Sequence, residues 1–135
     1  MKRPHLLAVE GGAEAVAPLV ETLAAAGHRV GWLDLTAAAE APPELAEASR
    51  LPLLRAVAVG AGRSVAVKRR RGAPVLDDLL REHFLGCRLV LVRGASELPR
   101  LSRDGDLWRV DPGAGKSRSR TAEELARDLR RPRPW

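Results

Sequence analysis

Aromatic side chains are nearly missing from this chain: three Trp, one Phe and no Tyr in 135 residues. Single-stranded nucleic acids are gripped by stacking bases on aromatic rings along a cationic groove. The densest basic run, Lys68-Arg69-Arg70-Arg71, has no aromatic beside it, which argues against a nucleic-acid partner. Cysteine is reduced to Cys87, so no disulfide can close within the chain, and a reducing, cytoplasmic setting is expected. No apolar run reaches the roughly 20 residues of a membrane span. Leu6–Val9, cut off by Glu10, is too short for the core of a secretion signal. His5, His28 and His83 are scattered, with no Cys or carboxylate at ligand spacing, so no metal site is expected.

What is abundant is Ala, Leu, Val and Arg. The length suits one domain over residues 1–135. Charge is lopsided: residues 1–50 hold four Lys or Arg against seven Asp or Glu, and residues 51–135 hold nineteen against ten. A basic second half admits phosphate, nucleic acid or an acidic protein partner.

The first forty residues organise the rest. His5–Val9 is apolar without alternation and reads as a strand buried on both faces. Ala13–Ala26 reads as a helix, with Val16, Leu19, Val20 and Leu23 on one stripe and Gly27 as its C-cap. Pro18 fits a first helical turn only when the helix begins near Ala17, which would lengthen the preceding loop. His28–Leu35 reads as a second strand, parallel to the first through a right-handed crossover. Thr36–Pro43 is a linker, and Pro43-Glu44-Leu45 opens a short helix to about Arg50.

Ala56–Val59 and Ser64–Arg69 form a hairpin around Gly60-Ala61-Gly62-Arg63. Pro74–Phe84 reads as a helix with Val75, Leu76, Leu79, Leu80 and His83 on one face. Arg88–Gly94 is the clearest later strand, and Leu98–Ser102 and Leu107–Val110 are two more. Pro112–Arg120 reads as a loop. Thr121-Ala122-Glu123-Glu124 is a capping box opening a last helix to about Leu129. Residues 130–135, ending Arg131-Pro132-Arg133-Pro134-Trp135, are expected as a flexible basic tail. This order implies an α/β fold with a mostly parallel sheet and a β-hairpin insertion. Ligands of such sheets sit beyond the carboxyl ends of the strands, which here carry Glu10–Glu14, Asp34–Thr36 and Arg93–Glu97.

An apolar strand, a glycine pair and a helix form the layout of a phosphate-binding loop, where backbone N–H groups and the helix dipole hold an anion. A lysine and a hydroxyl complete such a loop. Here Gly11-Gly12-Ala13-Glu14-Ala15-Val16-Ala17 stands at that place with neither. Gly115-Lys116-Ser117 ends like the phosphate motif, but the glycine due at position 110 is Val110, so it reads as a solvated loop. Lys68, Arg69, Arg70 and Lys116 remain candidate anion contacts. Cys87, with no positioned base, reads as a part-buried structural thiol. Asp77-Asp78 and Glu123-Glu124 read as helix N-terminal carboxylates.

Several motifs in this order carry a resemblance. They are Leu19-Val20-Glu21-Thr22-Leu23, Gly27-His28-Arg29-Val30-Gly31, Arg55-Ala56-Val57-Ala58-Val59, Gly62-Arg63-Ser64-Val65-Ala66-Val67, Leu76-Asp77-Asp78-Leu79-Leu80, Arg88-Leu89-Val90-Leu91-Val92-Arg93-Gly94 and Leu98-Pro99-Arg100-Leu101. Across most of its length the chain resembles the MobB family, the GTP-binding accessory proteins of molybdopterin guanine dinucleotide synthesis. The resemblance implies a P-loop NTPase-like three-layer sandwich and GTP with Mg²⁺ as ligands. It also implies a homodimer joined through the hairpin strands and a partner in the molybdenum cofactor guanylyltransferase.

The departures fall on the chemistry. The family's P-loop lysine maps to Val16 and its magnesium-binding hydroxyl to Ala17. The acidic residue opening its Walker B-like strand maps to Arg88, and its Glu before Gly to Arg93. A phosphate clamp needs the lysine charge, and Mg²⁺ needs the hydroxyl and a carboxylate. The expectation is therefore a non-catalytic accessory protein with a degenerate nucleotide site, in which Arg93 pairs with Glu10 or Glu14 across the cleft. The competing readings are a nucleotide-binding protein that grips phosphate through Gly11-Gly12 and cations from elsewhere, and a basic nucleic-acid-binding module.

Overall fold

The continuous apolar runs form the centre of a sheet. In the computed structural model, which describes residues 2–37 and 40–135, β1 (His5–Val9) and β5 (Leu89–Arg93) pair in parallel from His5↔Leu89 to Val9↔Arg93. Strand β2 (Val30–Asp34) pairs with the other side of β5, from Val30↔Leu89 to Asp34↔Arg93. Strand β6 (Arg100–Asp104) meets β1 in parallel at Ala8↔Arg100 and then turns back as an antiparallel hairpin with β7 (Leu107–Asp111). Strand β8 (Arg118–Arg120) completes the order β2-β5-β1-β6-β7-β8. The sheet is mostly parallel, and three helices accompany it: α1 (Ala13–Ala25), α2 (Leu76–His83) and α3 (Ala122–Asp128).

Period-two alternation divides the apolar residues between the two faces. Leu7, Val9, Leu89 and Leu91 pack with Val16, Leu19 and Leu23 of α1 and Leu125 of α3. Val90 and Val92 pack with Leu80 of α2, with Leu76, Phe84 and the half-buried Cys87 against them. This is an α/β sandwich with helices on both faces.

The chain divides into two units, Met1–Thr36 with Leu76–Trp135, and Ala37–Val75. The sheet and helices above belong to the first. The second contains two 3-10 turns, Pro43–Leu45 and Ala48–Arg50, in place of the single short helix expected there. It also contains the expected hairpin: β3 (Arg55–Val59) pairs antiparallel with β4 (Ser64–Lys68). Ala38 and Ala39 of the expected linker lie outside the described residues.

Three local expectations need correction, and one holds: helix α1 begins at Ala13, as its apolar stripe implies, and runs through Pro18, so the preceding loop is not lengthened. Burial of Val16, Leu19 and Leu23 outweighs the backbone hydrogen bond that proline forfeits. Helix α2 begins at Leu76, two residues after Pro74, so Val75 is outside it and exposed, and His83 is exposed on its last turn. Residues 118–120, expected as loop, are a strand in register with β7 from Trp108↔Arg120 to Val110↔Arg118. The terminal residues pack: Pro134 is buried, and the Trp135 ring meets the His5 ring edge-on at 5.6 Å between centroids.

The caps follow the sequence closely. Helix α1 ends with the two bonds of a Schellman motif, Gly27 N–H to Ala24 C=O and His28 N–H to Leu23 C=O, with Gly27 at φ 86°. At α3 the Thr121 hydroxyl accepts from the Glu124 N–H at 3.1 Å, and the Glu124 carboxylate accepts from the Thr121 N–H at 3.3 Å. Among the described residues no helix is long and apolar enough to cross a membrane.

Candidate functional site at the carboxyl edge of the sheet

Parallel register places the ends of three strands side by side: Val9, Arg93 and Asp34 are neighbours across β1, β5 and β2. The chain leaves β1 toward β2 through α1, and leaves β5 toward β6 on the other side of β1. Such a reversal opens a crevice outside the strand ends. A crevice of about 430 Å³ lies there, lined among others by Glu10, Thr36, Arg93, Ser96 and Arg100. A second, of about 210 Å³, lies against Glu10, Gly11, Val16, Arg100, Arg103 and Trp108.

The link from β1 to α1 is only Glu10-Gly11-Gly12, because the strand ends at Val9 and the helix begins at Ala13. A phosphate loop needs four residues between its glycines before the lysine, and three residues cannot encircle a phosphate. Gly12 is the N-cap and has no side-chain cap. The Glu14 carboxylate folds back over it: a β-carbon at Gly12 would stand 2.6 Å from both carboxylate oxygens. The positive end of α1 thus carries its own anion. Val16 is buried in the core, Ala17 is half-buried, and Ala13 and Ala15 are exposed. These residues do not fit a magnesium-bound triphosphate, since the turn carries no lysine or hydroxyl and a carboxylate sits where the phosphates would approach.

Arg88 and Arg93, which flank and close β5, do not meet at the β1–α1 turn. Arg88 Nε donates to the Leu129 carbonyl at the C-terminal end of α3, a favourable place for a cation. Arg93 does not reach Glu10 or Glu14. Its guanidinium lies 3.6 Å from the Asp34 carboxylate, the residue opposite it in register. Glu10 pairs instead with Arg100, at 3.3 Å. Asp34 is held by its own turn, with its Oδ1 accepting from the Thr36 N–H at 2.8 Å and the Thr36 hydroxyl at 2.7 Å.

The other candidate cations are spread over the chain. Lys68 ends β4, and Arg69 donates to the Leu51 carbonyl at 2.9 Å. Lys68, Arg69 and Arg70 belong to the unit Ala37–Val75 and are exposed. Lys116 is exposed in the turn between β7 and β8, where Gly113 N–H donates to Asp111 Oδ1 at 2.9 Å. That turn joins two antiparallel strands, whereas a phosphate loop joins a strand to a helix. Among the described residues no group of three or more His, Cys, Asp or Glu is placed to hold a metal ion.

Sequence reasoning brought Glu10, Thr36, Arg93 and Ser96 to the strand ends but missed Arg100. The missing signal was the single parallel bridge that sets Arg100 beside Ala8. Compared with models of known protein families, the chain matches none, and it matches none of the curated proteins.

Proposed function

We propose that this chain is a cytoplasmic accessory protein of the MobB type, built on a P-loop-like scaffold, that acts by protein contact and not by GTP hydrolysis. Its partner in this reading is the guanylyltransferase that attaches GMP to molybdopterin. The motif order over most of the chain supports the family. The short β1–α1 turn, with Glu14 folded over Gly12, supports loss of the NTPase chemistry.

One observation carries the contact reading. Of the eight large apolar side chains exposed among the described residues, six are Leu51, Leu53, Leu54, Val57, Val59 and Val75, all in the unit Ala37–Val75. Its sheet has only two strands among the described residues, so each strand offers an outer edge, a ready template for pairing. Antiparallel pairing of two β3 strands about Val57 would set each Arg55 opposite a Val59. No like charges would then oppose each other across the two-fold axis.

The test is sedimentation of this protein mixed with the guanylyltransferase of the same organism. A complex that the double substitution Val57→Lys with Val59→Lys weakens supports the reading. Failure to form any complex overturns it.

A further inference from the structure

We infer that the crevice at the strand ends is a metal-independent site for the phosphoryl group of a small phosphate ester, held by Arg93 and Arg100. The inference goes beyond the accessory role proposed above and does not depend on it.

The two guanidiniums come from strands on either side of β1: Arg93 closes β5 and Arg100 opens β6. Both line the same crevice of about 430 Å³, within the range of small-molecule sites. The rim is the segment from Gly94 to Pro99. Gly94 takes φ 93°, and a β-carbon there would stand 2.7 Å from the Thr36 methyl, so the rim is pinned against the β2 turn. Leu98 N–H donates to the Ala95 carbonyl at 3.4 Å, closing a turn that carries Ser96 at the crevice wall. Two guanidiniums and a hydroxyl suit a tetrahedral dianion, because a guanidinium can give two parallel N–H bonds to phosphoryl oxygens.

Each arginine is now held by a carboxylate, and both carboxylates can release it. The Arg93–Asp34 contact is 3.6 Å long and the Arg100–Glu10 contact 3.3 Å; the second pair is exposed, and in the first Arg93 reaches solvent while Asp34 is half-buried. Contacts this long, with a guanidinium that reaches water, are weak because solvent screens them. Asp34 keeps its two bonds from Thr36 when Arg93 turns away. The Glu10 side chain is 79% exposed, so water solvates it once Arg100 leaves. Glu10 and Asp34 therefore act as resident competitors that the ligand's phosphoryl group displaces. Glu97, on the exposed rim, is the remaining carboxylate of that segment. No magnesium is needed, because the guanidiniums supply the positive charge.

The probe is ribose 5-phosphate, titrated calorimetrically into the full chain at low ionic strength with EDTA present. Saturable one-to-one binding is expected. Arg93→Gln and Arg100→Gln should each weaken it by about tenfold or more, the scale of a lost charge-assisted contact. Glu10→Gln should tighten it, since it removes a competitor without touching the arginines. That gain separates a binding role from a merely structural ion pair. Circular dichroism melting checks that the variants fold, as exposed pairs permit. Absence of saturable binding by the wild type overturns the inference. So does binding that EDTA abolishes, binding unchanged in both arginine variants, or a Glu10→Gln variant that binds no better than wild type.

Discussion

Arg93 and Asp34 stand opposite each other in the parallel pair of β5 and β2, guanidinium to carboxylate at 3.6 Å. The contact replaces the expected bond to Glu10 or Glu14. It is part of the reason the strand ends form a crevice of paired charges. Asn keeps an Oδ1 acceptor for Thr36, and Arg93 reaches water, so Asp34→Asn should cost about 1 kcal/mol, read as a small shift of the urea midpoint at unchanged slope. A larger loss would mean that the pair holds β2 to the sheet.

A second ion pair differs in kind. Arg120 on β8 and Asp128 on α3 are 5% and 8% exposed, and Arg120 Nε lies 3.3 Å from Asp128 Oδ2. Arg120 Nε and one of its terminal nitrogens have no hydrogen-bond partner. Burial lowers the Arg120 pKa, and the Asp128 charge acts against that. Removing the counter-charge strands a buried cation, so Asp128→Asn should cost about 3–5 kcal/mol. Replacing both residues by apolar ones of similar volume should cost far less. Denaturant titration of the single and double variants checks this.

The capping box at α3 makes a pH prediction. Glu124 is held below its ordinary pKa, first by the hydrogen bond from the Thr121 backbone and then by that with its side chain. A lowered carboxyl pKa adds stability above the unfolded value and loses it as pH falls through the folded one. Thr121→Ala should cost about 1 kcal/mol at neutral pH. The gap between it and wild type should narrow as pH falls through the lowered folded-state titration of Glu124, once the carboxyl is protonated in both. Thermal melts of the two proteins across that range decide it.

The hairpin predicts self-association. Light scattering should give about twice the 14.6 kDa of one chain. Val57→Lys with Val59→Lys should return a folded monomer, because both side chains are exposed. An unchanged dimer would move the interface away from β3.

Much of the fold was legible because burial and local chemistry agreed. Leu89-Val90-Leu91-Val92 is apolar on both sides and could only be a central strand. Thr121 and Glu124 announced α3, and Gly27 the end of α1. Strand β8 was not legible, since its buried residue is Arg120, which no hydrophobic pattern reports. The site was legible in part. Glu10, Thr36, Arg93 and Ser96 follow from the strand ends. Which carboxylate Arg93 meets depends on β5 lying between β1 and β2, a long-range fact that no local motif encodes. At α1 the stripe of Val16, Leu19 and Leu23 was the better guide: it implied a start at Ala13, whereas Pro18 alone would have allowed a start only near Ala17.

The β1–α1 turn, three residues long and without a lysine or hydroxyl, is not built to hold a magnesium-bound triphosphate. The decisive measurement is the melting of the full chain with saturating GTP, once with Mg²⁺ and once with EDTA. The same melting temperature is expected in both. A ligand at about 100 times its Kd adds roughly 2.7 kcal/mol, so a rise of that size seen with Mg²⁺ and lost with EDTA would contradict it.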